Sequence, residues 1–140
     1  MAGATNLEEK LIAEIQDAIQ KALDRGQLPC ARAHGIARRL GVPPLQVGQA
    51  ADEMGIRISR CQLGLFGYGD KAKGEHRILH PAPHVDEDLA RRLQDSALEG
   101  CLPCATAWAI AAEHKIKRLE IANAAEALEL RIRQCQLGCF

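Results

Sequence analysis

The sequence predicts a mainly α protein built from two tandem three-helix modules with short β-strands. The first observation is a duplication, because residues 26–66 and 100–140 align at a constant offset of 74 without a gap and 18 of the 41 positions are identical. The second observation is that apolar residues recur at helical spacing in both copies. The third is that only 4 of the 140 residues are aromatic, so aliphatic residues, alanine and cysteine must fill the core.

The duplication divides the chain into three parts. Residues 1–66 form the first helix-turn-helix-like repeat, and residues 85–140 form the second, which has four cysteines. Residues 67–84 form a linker whose glycines surround a basic tip, a composition typical of a wing-like hairpin. A unit of about 70 residues is close to the lower limit for burying its own core. We therefore expect the two repeats to pack together.

Each repeat is predicted to contain three helices in the same order. In the first repeat, residues 7–24 have apolar positions at helical spacing, and residues 30–40 follow a proline and place their apolar residues on one face. Pro44 opens the third helix, predicted for residues 45–54. In the second repeat, residues 85–98 match the first of these helices at the same offset.

Short strands are predicted near residues 56–61 and 130–135, where apolar and polar residues alternate. We expect these strands to pair either with each other or with residues 76–79. Strict alternation places Cys61 on the face opposite Ile56 and Ile58. Either the strand ends or bulges before Cys61, or this cysteine points away from the helices.

Residues 36–58 contain a small residue where two helices cross, a glycine at the turn, and apolar residues that seat the next helix: Ala37, Gly41, Val47 and Met54. This segment resembles the helix-turn-helix of winged-helix DNA-binding proteins, over about 20 residues of each copy. The resemblance implies that the helix over 45–54 lies in the major groove of double-stranded DNA, with Gln46 and Gln49 nearest the bases. It also implies phosphate contacts from the basic side chains Arg38, Arg39, Lys71, Lys73 and Arg77.

The charge distribution favours the first repeat as the half that binds an anion. Residues 26–84 contain 8 basic and 4 acidic residues, whereas residues 85–140 contain 7 basic and 9 acidic residues. In the second repeat the counterpart of the reading helix presents Glu120, Glu126 and Glu129, which repel phosphate groups. Two equivalent DNA-reading heads are therefore not expected.

Cysteines occur at equivalent positions in both repeats, and the second repeat has two more. The equivalent pairs are Cys30 with Cys104 and Cys61 with Cys135, and the additional cysteines are Cys101 and Cys139. The second repeat thus contains a C-x2-C and a C-x3-C motif, and two such thiolate pairs can hold zinc or an iron–sulfur cluster. We predict a metal site with Cys101, Cys104, Cys135 and Cys139 as ligands. Reversible disulfides and buried packing thiols are the alternatives.

The sequence contains no catalytic motif, so an enzyme is not expected. Neither a membrane-spanning run nor a secretory signal is recognisable, and we expect a cytoplasmic protein with reduced cysteines. The leading interpretation is a DNA-binding transcriptional regulator whose second repeat senses a metal or the redox state. The alternative is a module that binds a protein partner, associated with a metal or redox system, and does not contact DNA. The apolar first helix is also compatible with a homodimer.

Overall fold

The structure, a computed structural model, describes residues 6–140 with the exception of the side chain of Lys71. It is mainly helical, as predicted, and none of the described helices is long and apolar enough to cross a membrane. In the first repeat the elements are α1 (Asn6–Lys21), β1 (Leu28–Pro29), α2 (Cys30–Leu40), α3 (Pro44–Glu53) and β2 (Ile58–Ser59). In the second repeat they are α4 (Glu87–Ser96), β3 (Cys101–Pro103), α5 (Cys104–His114), α6 (Arg118–Ala127) and β4 (Arg131–Arg133).

The turn between the second and third helices has the same backbone conformation in both repeats. Helix α2 ends at Gly41, which adopts the left-handed conformation with φ of 67°. Helix α5 ends at Lys115, which adopts the same conformation with φ of 56° although a side chain there costs about 1 kcal/mol. The helix-turn-helix geometry expected from Gly41 is therefore retained where glycine is absent.

The strands form two separate parallel pairs, one in each repeat. Leu28 of β1 lies opposite Ile58 of β2, and Leu102 of β3 lies opposite Ile132 of β4. The prediction that the later strands pair with each other or with residues 76–79 is wrong. The extended chain before α2 already satisfies their backbone groups, as in the 2.9 Å hydrogen bond from Leu28 N to Arg57 O.

The linker forms a hairpin-like loop without regular strands. Within the described structure residues 67–84 contain no strand, and Lys71–Lys73 forms a 3-10 turn. Across the loop Tyr68 N donates to His76 O at 3.4 Å and Gly69 N donates to Glu75 O at 3.1 Å. The following residues lie on the second repeat, where Ala82 N donates to Asn123 O at 3.0 Å. The linker thus combines a short loop with a segment that contacts the second repeat.

The two repeats exchange the turns that follow their last strands. We call these turns, residues 61–64 and 135–138, the CQLG turns. Leu63 is fully buried in the hydrophobic core of the second repeat, and Leu137, which is 3% exposed, lies in the core of the first. Burial of each leucine contributes about 2 kcal/mol. Each repeat therefore completes the core of the other.

The exchange explains why Cys61 does not follow the alternation of the preceding strand. Strand β2 ends at Ser59, and Arg60 then adopts a left-handed conformation with φ of 48°. Gln134 does the same after β4, with φ of 53°. These residues rotate the chain out of the strand direction. Of the two alternatives, the first is confirmed: the strand ends before the cysteine.

Helix α3 approaches the exchanged turn closely at Gly48. A Cβ atom at this position would overlap the backbone carbonyl of Leu137. The equivalent residue in the second repeat is Ala122, which is 1% exposed. The absence of a side chain at Gly48 therefore sets the distance between α3 and the second repeat.

We expect Gly48→Ala to destabilise the protein by about 1–3 kcal/mol, because the added methyl group forces the CQLG turn of the second repeat away from α3. Gly35→Ala is the matched control, since Gly35 is also helical and a Cβ there meets only Arg38 Nη2 at 3.9 Å. That control should gain about 0.5–1 kcal/mol from helix propensity. Urea unfolding of both variants measures the difference, and equal stabilities would contradict the close packing.

Candidate functional site

Five of the six cysteines converge where the repeats meet. Cys30 lies in the core of the first repeat with Cys135 packed against it, and Cys61 and Cys104 lie together in the core of the second. Burial raises the pKa of the Cys30 thiol to about 12, and the charges of Cys61, Cys104 and Cys135 also raise it. These four thiols therefore lie within electrostatic range of one another.

Groups of the CQLG turns and the residue after them lower the pKa of each of these four thiols. The backbone N–H of Gln62 acts on Cys30, and that of Gln136 acts on Cys104. The side-chain Nε2 of Gln136 lies 3.5 Å from the sulfur of Cys104. The two turn cysteines are each influenced by three backbone N–H groups: those of Leu63, Gly64 and Leu65 for Cys61, and those of Leu137, Gly138 and Cys139 for Cys135. Burial outweighs these groups at Cys30, Cys61 and Cys104, whose pKa is raised, whereas the pKa of Cys135 is lowered.

Cys135 and Cys139 form a hydrogen-bonded pair. The hydrogen bond from the Cys139 side chain lowers the pKa of Cys135 to about 6, against the opposing effect of burial. The same hydrogen bond, together with burial, raises the pKa of Cys139 far above its ordinary value. Within this pair the hydrogen bond favours the charged form of Cys135 and the neutral form of Cys139. The residue at the position of Cys139 in the first repeat is Leu65.

Of the predicted ligands Cys101, Cys104, Cys135 and Cys139, the last three lie in this group of thiols. Cys101 lies on β3 opposite Arg131. Cys30 and Cys61, which the prediction did not include, belong to the group as well. The sequence could have indicated Cys30 and Cys61 as members of this group, because they are the equivalents of Cys104 and Cys135 in the first repeat.

The thiols are not arranged around a single metal ion. Among the described residues, no three histidine, cysteine, aspartate or glutamate side chains are placed to hold one. A tetrahedral zinc ion, with Zn–S distances of about 2.3 Å, needs sulfur atoms about 3.8 Å apart. The metal site therefore stays a prediction, with Cys30, Cys61, Cys104 and Cys135 as its revised ligands.

An aromatic pair lies one helical turn beyond the cysteines of α2 and α5. His34 and Trp108 occupy equivalent positions in the two repeats, and their ring centroids are 4.3 Å apart. The guanidinium carbon of Arg118 lies 3.5 Å from the centroid of the Trp108 ring, and Arg118 Nη1 donates to Gln62 Oε1 at 3.2 Å. Since Gln62 also donates to Cys30, this stack is linked to the thiols. Trp108 is therefore a natural fluorescent reporter of the thiol site.

The residues predicted to read DNA bases lie on a helix that also contacts the second repeat. Gln46 is half-buried on α3. Gln49 is exposed and lines a groove together with Leu137 and Phe140. One side of α3 is thus occupied by the C-terminal turn of the second repeat, where Gly48 meets Leu137. Deep insertion of α3 into a major groove would have to accommodate this turn.

The predicted phosphate-binding residues have different surroundings. Arg38 and Arg39 are exposed at the end of α2, and Lys73 is exposed in the linker. Arg77 forms an ion pair with Glu126, with 3.3 Å between Nη2 and Oε2. The side chain of Lys71 lies outside the described structure. Arg38, Arg39 and Lys73 are therefore the described residues of this set that remain suited to an anion.

We expect His34 to make the reduced, metal-free protein less stable in acid. Burial, followed by the charges of Arg118 and Arg38, lowers the pKa of His34 from 6.5 to about 4. His34 therefore takes up a proton at a higher pH in the unfolded chain than in the folded chain. The contribution of neutral His34 to the free energy of unfolding is complete above about pH 6.5 and is lost as the pH falls towards about 4. The loss amounts to roughly 2 kcal/mol at about pH 5 and about 3 kcal/mol at about pH 4.

Urea unfolding at about pH 7.5 and about pH 5 tests this expectation. His34→Phe keeps an aromatic ring against Trp108 and should reduce the acid destabilisation. His80→Phe, at an exposed histidine of the linker, should leave it unchanged. An identical pH dependence in all three proteins would show that His34 is not the responsible group.

Comparisons with protein-family models, curated proteins and solved structures find no match for this chain. The resemblance to winged-helix proteins therefore stays a prediction, and the interpretation of the site depends on its own geometry.

Proposed function

We propose that this protein binds a thiolate-ligated metal centre between its two repeats and responds through it to metal or redox state. The proposed ligands are Cys30, Cys61, Cys104 and Cys135. The observation that carries the proposal is the convergence of four equivalent cysteines from two repeats at the two cores, with backbone N–H groups that lower the pKa of each thiol. A buried apolar cysteine needs no such donors, whereas a thiolate that binds a metal is stabilised by them.

Cysteine thiolates hold both a single zinc ion and an iron–sulfur cluster. Hydrogen bonds to sulfur tune the reduction potential of such clusters, and Gln136 Nε2 lies 3.5 Å from the sulfur of Cys104. A redox-responsive cluster is therefore the form of the centre that we propose, with a structural zinc ion as the alternative.

A centre at this position would couple its own assembly to the packing of the repeats. Two of the proposed ligands, Cys61 and Cys135, belong to the exchanged CQLG turns. A metal bound to them would hold both turns in place, and a ligand that binds only the folded state stabilises that state. Loss of the centre would correspondingly loosen the contact between the repeats.

Reconstitution tests this proposal. Anaerobically purified, reduced protein is incubated with ferrous iron and sulfide, or with zinc alone. We expect iron and acid-labile sulfide to be retained, visible absorbance to appear, Trp108 emission to fall and the melting temperature to rise. Stoichiometric zinc binding without cluster assembly would instead assign a structural zinc site. Binding of neither, by a fully folded protein, would contradict the proposal.

Cysteine variants decide which ligand set is used. Cys30→Ser and Cys61→Ser should abolish retention of the centre, because each removes a proposed ligand. Cys101→Ser is the matched control and should retain it. If Cys101→Ser instead abolishes retention while Cys30→Ser and Cys61→Ser do not, the ligands are those predicted from the second repeat alone. Circular dichroism of each reduced apo-variant separates loss of the centre from loss of the fold.

The second candidate function is DNA binding by the first repeat. The exposed side chains of Arg38 and Arg39, next to the left-handed turn at Gly41, favour it. The acidic residues Asp52 and Glu53 on α3 and the packing of α3 against the second repeat weigh against it. We therefore rank DNA binding below the thiolate centre as a candidate function.

Salt dependence tests the DNA candidate. Each neutralised phosphate contributes a slope of about −0.9 in log affinity against log salt, so Arg38→Ala with Arg39→Ala should flatten the slope by about 2. Arg91→Ala, at an exposed arginine of α4, is the control and should not change it. Fluorescence anisotropy of a labelled duplex measures the affinity. If no binding occurs at about 50 mM salt, the candidate fails.

A further inference from the structure

The two repeats carry equivalent surface grooves. The second-repeat groove is lined by α6, β4 and one residue of the first repeat: Ala122, Glu126, Leu130, Ile132 and Leu65. The first-repeat groove is lined by the residues 74 positions earlier, with Cys139 in the place of Leu65: Gly48, Asp52, Ile56, Ile58 and Cys139. Each groove therefore lies between the third helix of one repeat and the segment after the CQLG turn of the other.

A strap from the linker lies along the second-repeat groove and α6. We define the strap as residues 77–82. Arg77 pairs with Glu126, and Leu79 lines the groove and is 9% exposed. Backbone contacts hold the chain extended, because His80 N donates to Asn123 Oδ1 at 2.9 Å and Ala82 N donates to Asn123 O at 3.0 Å. A basic residue, an apolar residue and an extended backbone are thus the features that this kind of groove binds.

The first-repeat groove has the same features but no strap. Within the described structure none of its lining residues comes from the segment 67–84, and its volume is about 790 Å³. Asp52 takes the place of Glu126 and Gln49 the place of Asn123, and both are exposed. The described residues provide no ion-pair partner for Asp52. Leu45 and Phe140, which also line the groove, are 47% and 45% exposed.

We propose that the first-repeat groove binds an extended segment of a partner protein in which a basic residue is followed by apolar residues. By analogy with the strap, its basic side chain pairs with Asp52, its backbone bonds to Gln49, and an apolar side chain enters between Ile56 and Ile58. The occupied groove in the same molecule serves as the template. The groove needs no metal in order to bind, although Cys139 on its wall places the partner beside the thiol site.

A peptide with the sequence of residues 74–83 is the probe, labelled for fluorescence anisotropy and titrated into the reduced full chain. We expect saturable binding that a scrambled peptide does not show. Asp52→Arg should weaken it at least about fivefold, because it replaces an ion pair with repulsion. A peptide with glutamate at the position of Arg77 should recover binding to this variant. Glu87→Arg makes the same charge change at an exposed residue of α4 and should leave the affinity unchanged.

Four outcomes would overturn the proposal. The first is absence of binding to the unmodified chain. The second is equal weakening by Asp52→Arg and Glu87→Arg, which would indicate a general effect of charge. The third is weakening by Glu126→Arg alone, which would mean that the peptide displaces the strap. Asp52→Asn, which removes the charge without reversing it, replaces Asp52→Arg if the latter does not fold. The fourth is a concentration-dependent dimer that either Asp52 variant abolishes, because it would show that the groove binds a second copy of this chain and not a different protein.

Discussion

The exchange of CQLG turns between the repeats is the contact on which the rest of the structure depends. Each repeat is a small three-helix unit whose hydrophobic core is completed by a leucine from the CQLG turn of the other repeat. Leu63 packs in the core of the second repeat, and Leu137 packs in the core of the first. A unit of this size is close to the lower limit for burying a core of its own. The exchange therefore makes one folding unit of two repeats, and it determines what can lie at the interface.

What lies at the interface is a group of thiols with an unusual supply of hydrogen-bond donors. The left-handed residues Arg60 and Gln134 rotate the chain so that each turn cysteine faces the opposite repeat. The tight turns then direct several backbone N–H groups at the sulfurs of Cys61 and Cys135. Burial alone would favour neutral thiols, as it does at Cys30, whereas these donors favour thiolates. A bound cationic centre would favour the thiolates despite their burial, since its positive charge offsets the cost of burying a negative charge.

The same exchange changes the role of the third helix of each repeat. In a DNA-reading helix-turn-helix this helix has a free outer face. Here α3 meets Leu137 at Gly48, and residues of the strap contact α6 at Asn123 and Glu126. One side of each helix is thus already used for contacts within the protein. This use agrees better with a binding surface for protein segments than with a pair of DNA-reading heads.

The sequence by itself determined the duplication, the mainly helical class and the helices, because apolar periodicity, Pro29 and Pro44 act within a few residues of where they stand. It also placed Cys30, Cys61, Cys104 and Cys135 at equivalent positions. It did not show that Cys30 and Cys61 lie beside Cys104 and Cys135, because spacing along the chain does not give distance in space, and it did not show that residues 77–82 contact the second repeat. Only the tertiary structure decided which thiols meet and what the linker contacts. The physical reason is that both depend on an exchange of buried side chains between segments 74 residues apart, and no local pattern records that exchange.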